Sequence, residues 1–143
     1  NRGFLLINPS LAGPLHPCEL ILPGHHDSVT CVSFLGNNRV VSGSLDGSLR
    51  LWNLLTGSCT RVFRGHRREV TCICPVDEET FASGSVDRSI RVWNTNRSEN
   101  NFVFTGHGSY VSCLCRLQNG KIISGSDDRT IRVWNIETKE CEG

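Results

Sequence analysis

A chain of 143 residues is long enough for one ordinary domain with a core of its own. Its 15 Lys and Arg stand against 14 Asp and Glu, a balance that argues against a surface built for nucleic acid or an anionic membrane. No apolar run approaches the roughly 18 residues that cross a bilayer, and Phe4 to Ile7 is too short for a signal-peptide core of about 7–15 residues.

In chain order, residues 1–23 carry two short apolar stretches, Gly3 to Asn8 and Cys18 to Leu22, that read as strands. From Gly24-His25 the pattern becomes regular. Val29 to Leu35 reads as a strand, Gly36-Asn37-Asn38 as a turn, and Arg39 to Ser44 as a second strand. Asp46-Gly47 is a tight-hairpin signal before a third strand, Ser48 to Asn53. Thr56-Gly57 then turns the chain into a fourth, Cys59 to Phe63. The same order recurs over 65–105 and 106–143 without insertion or deletion, the last copy only beginning its fourth strand.

The repeat length is 41 residues. Gly24-His25, Gly65-His66 and Gly106-His107 share one register, as do Asp46, Asp87 and Asp128, and Trp52, Trp93 and Trp134. Eleven positions are identical in all three copies; in the first they are Gly24, His25, Val29, Cys31, Ser42, Gly43, Ser44, Asp46, Arg50, Trp52 and Asn53. The strands are apolar on both faces, as a sheet sandwiched between two others requires.

Gly-His, Ser-Gly-Ser-x-Asp and an apolar-Arg-apolar-Trp-Asn run at these spacings resemble the WD-repeat family of β-propellers, over residues 24–143. Each copy ends in Trp-Asn where Trp-Asp is usual, a common variation. The resemblance implies an all-β fold of three four-stranded antiparallel blades at 24–64, 65–105 and 106–143, within a ring of about seven. Residues 1–23 would be the third and fourth strands of an incomplete preceding blade. With no methionine, even at position 1, the sequence is expected to be a piece of something longer.

Ser42, His25 and Asp46 are by residue type a nucleophile, a base and an orienting acid. The set recurs in every copy, whereas a hydrolase needs one triad in one cleft, and no Gly-x-Ser-x-Gly elbow accompanies it. The resemblance implies a structural tetrad instead, His25/Ser42/Asp46/Trp52, His66/Ser83/Asp87/Trp93 and His107/Ser124/Asp128/Trp134. A non-catalytic protein is therefore expected, with a serine hydrolase as the rival reading.

Six of the eight cysteines fall on two repeat positions, and Cys74 and Cys115 share a third. No complement of zinc-ligand pairs is present, so small reduced core residues in a cytoplasmic or nuclear protein are expected, with neither metal nor cofactor. Asn96-Arg97-Ser98 matches a glycosylation sequon that would stay bare there. The four arginines of Arg61 to Arg68 read as a solvated edge.

In related propellers three positions per blade line the mouth of the central channel. Carried over, they are Ser28, Thr30 and Leu45; Glu69, Thr71 and Val86; and Tyr110, Ser112 and Asp127. Tyr110 is the aromatic anchor of the set. None of the nine is arginine, which disfavours phosphopeptide reading. The resemblance implies a scaffold for peptide or protein partners, in its sharpest form a substrate-recognition or adaptor subunit of a ubiquitin ligase or signalling assembly. A segment that only completes a ring is the blander alternative. If each outer blade leaves ~300 Å² of apolar surface wet, ~15 kcal/mol of burial is forgone. Further blades of the same chain or self-association are thus expected, with two copies approximating six blades.

Overall fold

The computed structural model describes residues 18–142. Its strands are β1 (Val29–Gly36), β2 (Arg39–Ser44), β3 (Leu49–Asn53), β4 (Ser58–Phe63), β5 (Val70–Pro75), β6 (Thr80–Ser85), β7 (Ile90–Asn94), β8 (Asn100–Phe104), β9 (Val111–Arg116), β10 (Lys121–Ser126), β11 (Ile131–Asn135) and β12 (Glu140–Cys141). They form three four-stranded antiparallel sheets with strands in chain order, one for each 41-residue copy. The first strands, β1, β5 and β9, lie side by side from blade to blade.

Local chemistry sets the turns. Asn37 and Asn38 both adopt positive φ, 52° and 57°, the primed geometry that matches strand twist. The third strand begins at Leu49, one residue later than expected, because Ser48 is drawn into the turn. Its backbone N–H and hydroxyl both donate to Asp46 Oδ1, at 2.7 and 2.6 Å. The strand expected at Gly3 to Asn8 lies outside the described residues. Cys18 to Leu22 forms no strand.

The core lies between blades. Leu35, Val41, Leu49, Leu51 and Phe63 of the first blade pack on Val70, Phe81 and Trp93 of the second. One repeat later, Val76, Ala82, Ile90, Val92 and Phe104 pack on Val111, Ile122 and Trp134. Phe63 meets Phe81 edge-on with centroids 5.1 Å apart, and Phe104 lies 4.9 Å from Trp134. The approach is close enough to demand glycine. A Cβ on Gly43 would lie 2.6 Å from Val70 Cγ1, and one on Gly84 2.5 Å from Val111 Cγ1.

A second device joins the blades. Thr30 sits in a β-bulge between Val29 and Cys31, which turns its side chain toward the next blade. Its hydroxyl donates to the Val70 carbonyl at 2.6 Å, and the Thr71 hydroxyl does the same to Val111 at 2.5 Å.

Candidate functional site

Each blade carries one hydrogen-bonded chain that ties its second and third strands to the loop before its first strand and to the turn between its second and third. In the second blade Trp93 Nε1 donates to Ser83 Oγ at 2.8 Å, Ser83 Oγ lies 2.7 Å from His66 Nε2, and His66 Nδ1 lies 2.9 Å from Asp87 Oδ2. The first blade gives 2.8, 2.6 and 3.4 Å for Trp52, Ser42, His25 and Asp46. The third gives 2.7, 2.7 and 2.8 Å for Trp134, Ser124, His107 and Asp128.

Donor inventory gives these bonds a direction. An indole can only donate and a carboxylate can only accept. The serine hydroxyl, already accepting from Trp, passes its own proton toward His Nε2, and Nδ1–H donates to Asp. Each Asp also accepts a backbone N–H, from His26, Arg67 or Gly108. Burial opposes ionisation of Asp46 and Asp87, yet the bonds they accept outweigh it and hold both carboxyls well below the usual range. For Asp128 the Thr130 hydroxyl is the largest influence, in the same direction.

The network has a fifth member that sequence comparison missed. Ser48, Ser89 and Thr130, two residues after each Asp, donate a hydroxyl to its Oδ1 at 2.6, 2.5 and 2.6 Å. Their hydroxyls also lie within 3.4 Å of the His Nδ1 atoms. The signal was a hydroxyl at that position in every copy, hidden because Ser becomes Thr in the third.

The Ser–His–Asp order is thus that of a nucleophilic triad, but two features disarm it. Each serine is buried, and each already accepts a bond from an indole where an attacking oxygen would need a free approach. The three sets hold strands together.

Exposed groups lie instead on the loops at one end of the blades. Backbone bonds from Leu45 N to Ser28 O, Val86 N to Glu69 O and Asp127 N to Tyr110 O bring these six positions into three adjacent pairs, at 2.9, 3.0 and 3.0 Å. Tyr110 and Leu45 are both exposed. Glu69 is paired with Arg68 Nε at 3.2 Å. The remaining three positions, Thr30, Thr71 and Ser112, sit deeper along the first strands. The Thr30 and Thr71 hydroxyls are engaged between blades, which sets them apart from the six loop positions.

The expectation of core cysteines holds for only part of the set. Cys74 is buried with Cys72 packed beside it, and burial pushes their thiols up to about 11 and about 12. Cys113 and Cys115, on the corresponding strand of the third blade, are exposed, with no blade packed over them among the described residues. No group of three or more metal-ligating side chains occurs among the described residues.

Three copies of the WD domain, G-beta repeat, match the chain at residues 16–53, 57–94 and 98–135. The chain belongs to this family. Those units are offset from the blades, each beginning ahead of a blade's first strand and ending on its third. Among individual proteins, the chain is 48% identical over 50 residues to the human ribosome biogenesis protein BOP1, covering 34% of this chain and 7% of that protein. It is 36% identical over 63 residues to the Arabidopsis thaliana protein ROOT INITIATION DEFECTIVE 3, covering 38% and 14%. It is 50% identical over 42 residues to the Drosophila melanogaster F-box/WD repeat-containing protein 7, covering 29% and 3%. The chain therefore matches only a small part of the length of each relative.

Proposed function

We propose that this chain binds peptide segments or protein surfaces through the loop end that carries Ser28, Leu45, Glu69, Val86, Tyr110 and Asp127, as the recognition or adaptor part of a multiprotein assembly. WD-repeat proteins generally serve as non-catalytic interaction scaffolds. The observation that carries the reading is the closure of all three Ser/His/Asp/Trp networks. With the Ser, His and Asp of each network engaged in holding the blade together, the loop side chains on a rigid sheet remain to meet a partner. Tyr110 presents an aromatic anchor among small, acidic and aliphatic neighbours. The F-box/WD repeat-containing relative supports a setting in a multiprotein complex, with a ubiquitin ligase or signalling assembly as the sharpest form of this reading. Cysteines set by the repeat, with Cys72 and Cys74 packed in the core, suit a cytoplasmic or nuclear location.

The test is selection of a displayed random-peptide library on the purified chain, followed by affinity measurement on variants. Tyr110→Ala and Leu45→Ala should each weaken the selected peptides about tenfold or more, a typical cost for a hot-spot side chain. Glu78→Ala, on the hairpin at the opposite end of the second blade, should leave affinity unchanged. Peptides that respond only to Glu78 would place binding on the other face.

A further inference from the structure

The sequence groups four arginines between Arg61 and Arg68, and the fold sends them to different places. Arg61 Nη1 donates to Ser98 Oγ on the second blade at 2.9 Å, and Arg68 Nε pairs with Glu69 at 3.2 Å. The Arg67 backbone N–H is bound to Asp87. Its exposed guanidinium makes no hydrogen bond or ion pair among the described residues.

Arg67 lines a cavity of about 270 Å³ together with Asp87, Ser89, Arg91, Val103 and Thr105. Every residue of this wall belongs to the second blade, which has a packed neighbour on either side. Arg91 and Val103 are directly opposed across β7 and β8, so both side chains leave the sheet on one face. Arg67, Asp87 and Ser89 come from the loop and turn at the end of that face.

Hydrogen-bonding capacity decides what the cavity takes. The two oxygens of Asp87 already receive His66 Nδ1, Arg67 N, Ser89 N and Ser89 Oγ, which fills the four lone-pair sites of a carboxylate. A cation therefore finds no acceptor there, and the Ser89 hydroxyl is committed as well. Donors are what remain: the Arg67 guanidinium, the Thr105 hydroxyl and Arg91. Of the Arg91 nitrogens, Nη1 donates to Asn100 Oδ1 at 2.6 Å, while Nε is buried without a partner. That orphan nitrogen recurs at Arg50 and Arg132 and belongs to the repeat. Arg67 and Thr105 do not: the first blade has His26 and Arg64 at their positions, and the third has Gly108 in place of Arg67. Two guanidiniums against one carboxylate leave a single positive charge. An arginine fork suits a carboxylate or a phosphate. One carboxylate balances that charge, whereas a phosphate monoester, at about −1.5 to −2, would overshoot it.

We infer that this cavity takes a carboxylate, the side chain of an aspartate or glutamate in a partner segment, held by Arg67, Arg91 and Thr105. Arg67 lies two residues before Glu69, and Asp87 directly follows Val86. A segment lying on the loop end thus reaches the cavity without leaving the second blade. That the carboxylate belongs to a partner rests on the loop-end reading; that the cavity binds a carboxylate does not.

Phenylglyoxal modification of the full chain, read by peptide mass spectrometry, reports on each guanidinium directly. A blocked peptide with one glutamate should protect Arg67 saturably, and its glutamine counterpart should not. Arg97, exposed on another loop, should react equally with either present. Thr105 is exposed and makes no bond to lose. Thr105→Val should therefore leave the fold intact and weaken protection about tenfold, the loss of one hydrogen bond to a charged group. Equal reactivity of Arg67 with and without the glutamate peptide overturns the inference, as does protection indifferent to Thr105→Val. Stronger protection by inorganic phosphate overturns the carboxylate assignment, and equal protection by acetate overturns its assignment to a partner side chain. Among library-selected peptides, an acidic residue at a fixed position is expected, with about a tenfold loss of affinity for Arg67→Gln. Peptides that need Tyr110 but carry no acid and ignore Arg67→Gln would sink this inference alone. Arg67 protected by the glutamate peptide, with no Tyr110-dependent peptide selected, would sink the loop-end reading alone.

Discussion

Removing Asp87 tests the reading of the polar networks as structure. Its carboxylate accepts four bonds: from His66 Nδ1 at 2.9 Å, Arg67 N at 3.0 Å, Ser89 N at 2.9 Å and Ser89 Oγ at 2.5 Å. In Asp87→Ala the Arg67 amide lies at an exposed residue and can turn to water. The His66 ring is fully enclosed by the fold, and Ser89 is buried, so their donors lose their partner where water does not reach. At roughly 1–3 kcal/mol for each buried group left unsatisfied, with the Ser hydroxyl free to rotate, the change should cost about 2–4 kcal/mol. The same substitution at Asp46 should cost less, because its carboxylate is more exposed and its contact with His25 is longer, at 3.4 Å. Urea unfolding followed by tryptophan fluorescence measures both. A loss under about 1 kcal/mol at Asp87, or a larger loss at Asp46 than at Asp87, would refute the reasoning. The sign with pH follows from the depressed folded-state carboxyls. Their stabilising contribution is fully present above the ordinary value of 3.8 and is lost as pH falls below it toward the lowered folded values. Asp87→Asn should therefore flatten the acid limb of a stability–pH profile.

Three further outcomes are expected. A fluorophosphonate probe should label none of Ser42, Ser83 and Ser124, read by mass spectrometry; selective labelling of one would reinstate the hydrolase reading. Alkylation at neutral pH should reach Cys72 and Cys74 last and Cys18 early. With its pKa raised from 9.0 to about 12, Cys72 has a thiolate population about a thousandfold below that of an ordinary thiol. Arg88 holds φ at 73° where the first blade has Gly47 at 84°, and a left-handed backbone strains any residue with a Cβ. Arg88→Gly should thus leave the urea midpoint unchanged or raise stability by up to about 1 kcal/mol; a clear loss would mean the side chain contributes more than its backbone strain costs.

Much of the blade was legible because repetition removes ambiguity. A short apolar run such as Val70 to Pro75 is an unremarkable strand candidate on its own, but three copies in one register fix its role and its turns. The tetrads were legible for the same reason, since a Ser, a His and an Asp that recur together are explained by architecture. Ser48 escaped notice because identity was the filter and Thr130 breaks it, although the physical requirement is only a hydroxyl. The position of Thr30 was also legible, but its allegiance was not. A bulge aims its hydroxyl at the neighbouring blade, and nothing in the local pattern distinguishes that from a side chain aimed at a partner.

The order of strands, the hairpin turns and four of the five members of each polar network were determined by the sequence alone, because they depend on contacts within one 41-residue unit. Only the tertiary structure decided which copies of a residue are buried. Val29, Val70 and Val111 are chemically the same and share one register; among the described residues the first is exposed and the others are buried, because burial depends on whether a neighbouring blade lies against that face. That is a property of blade order, and a blade's own residues do not encode it.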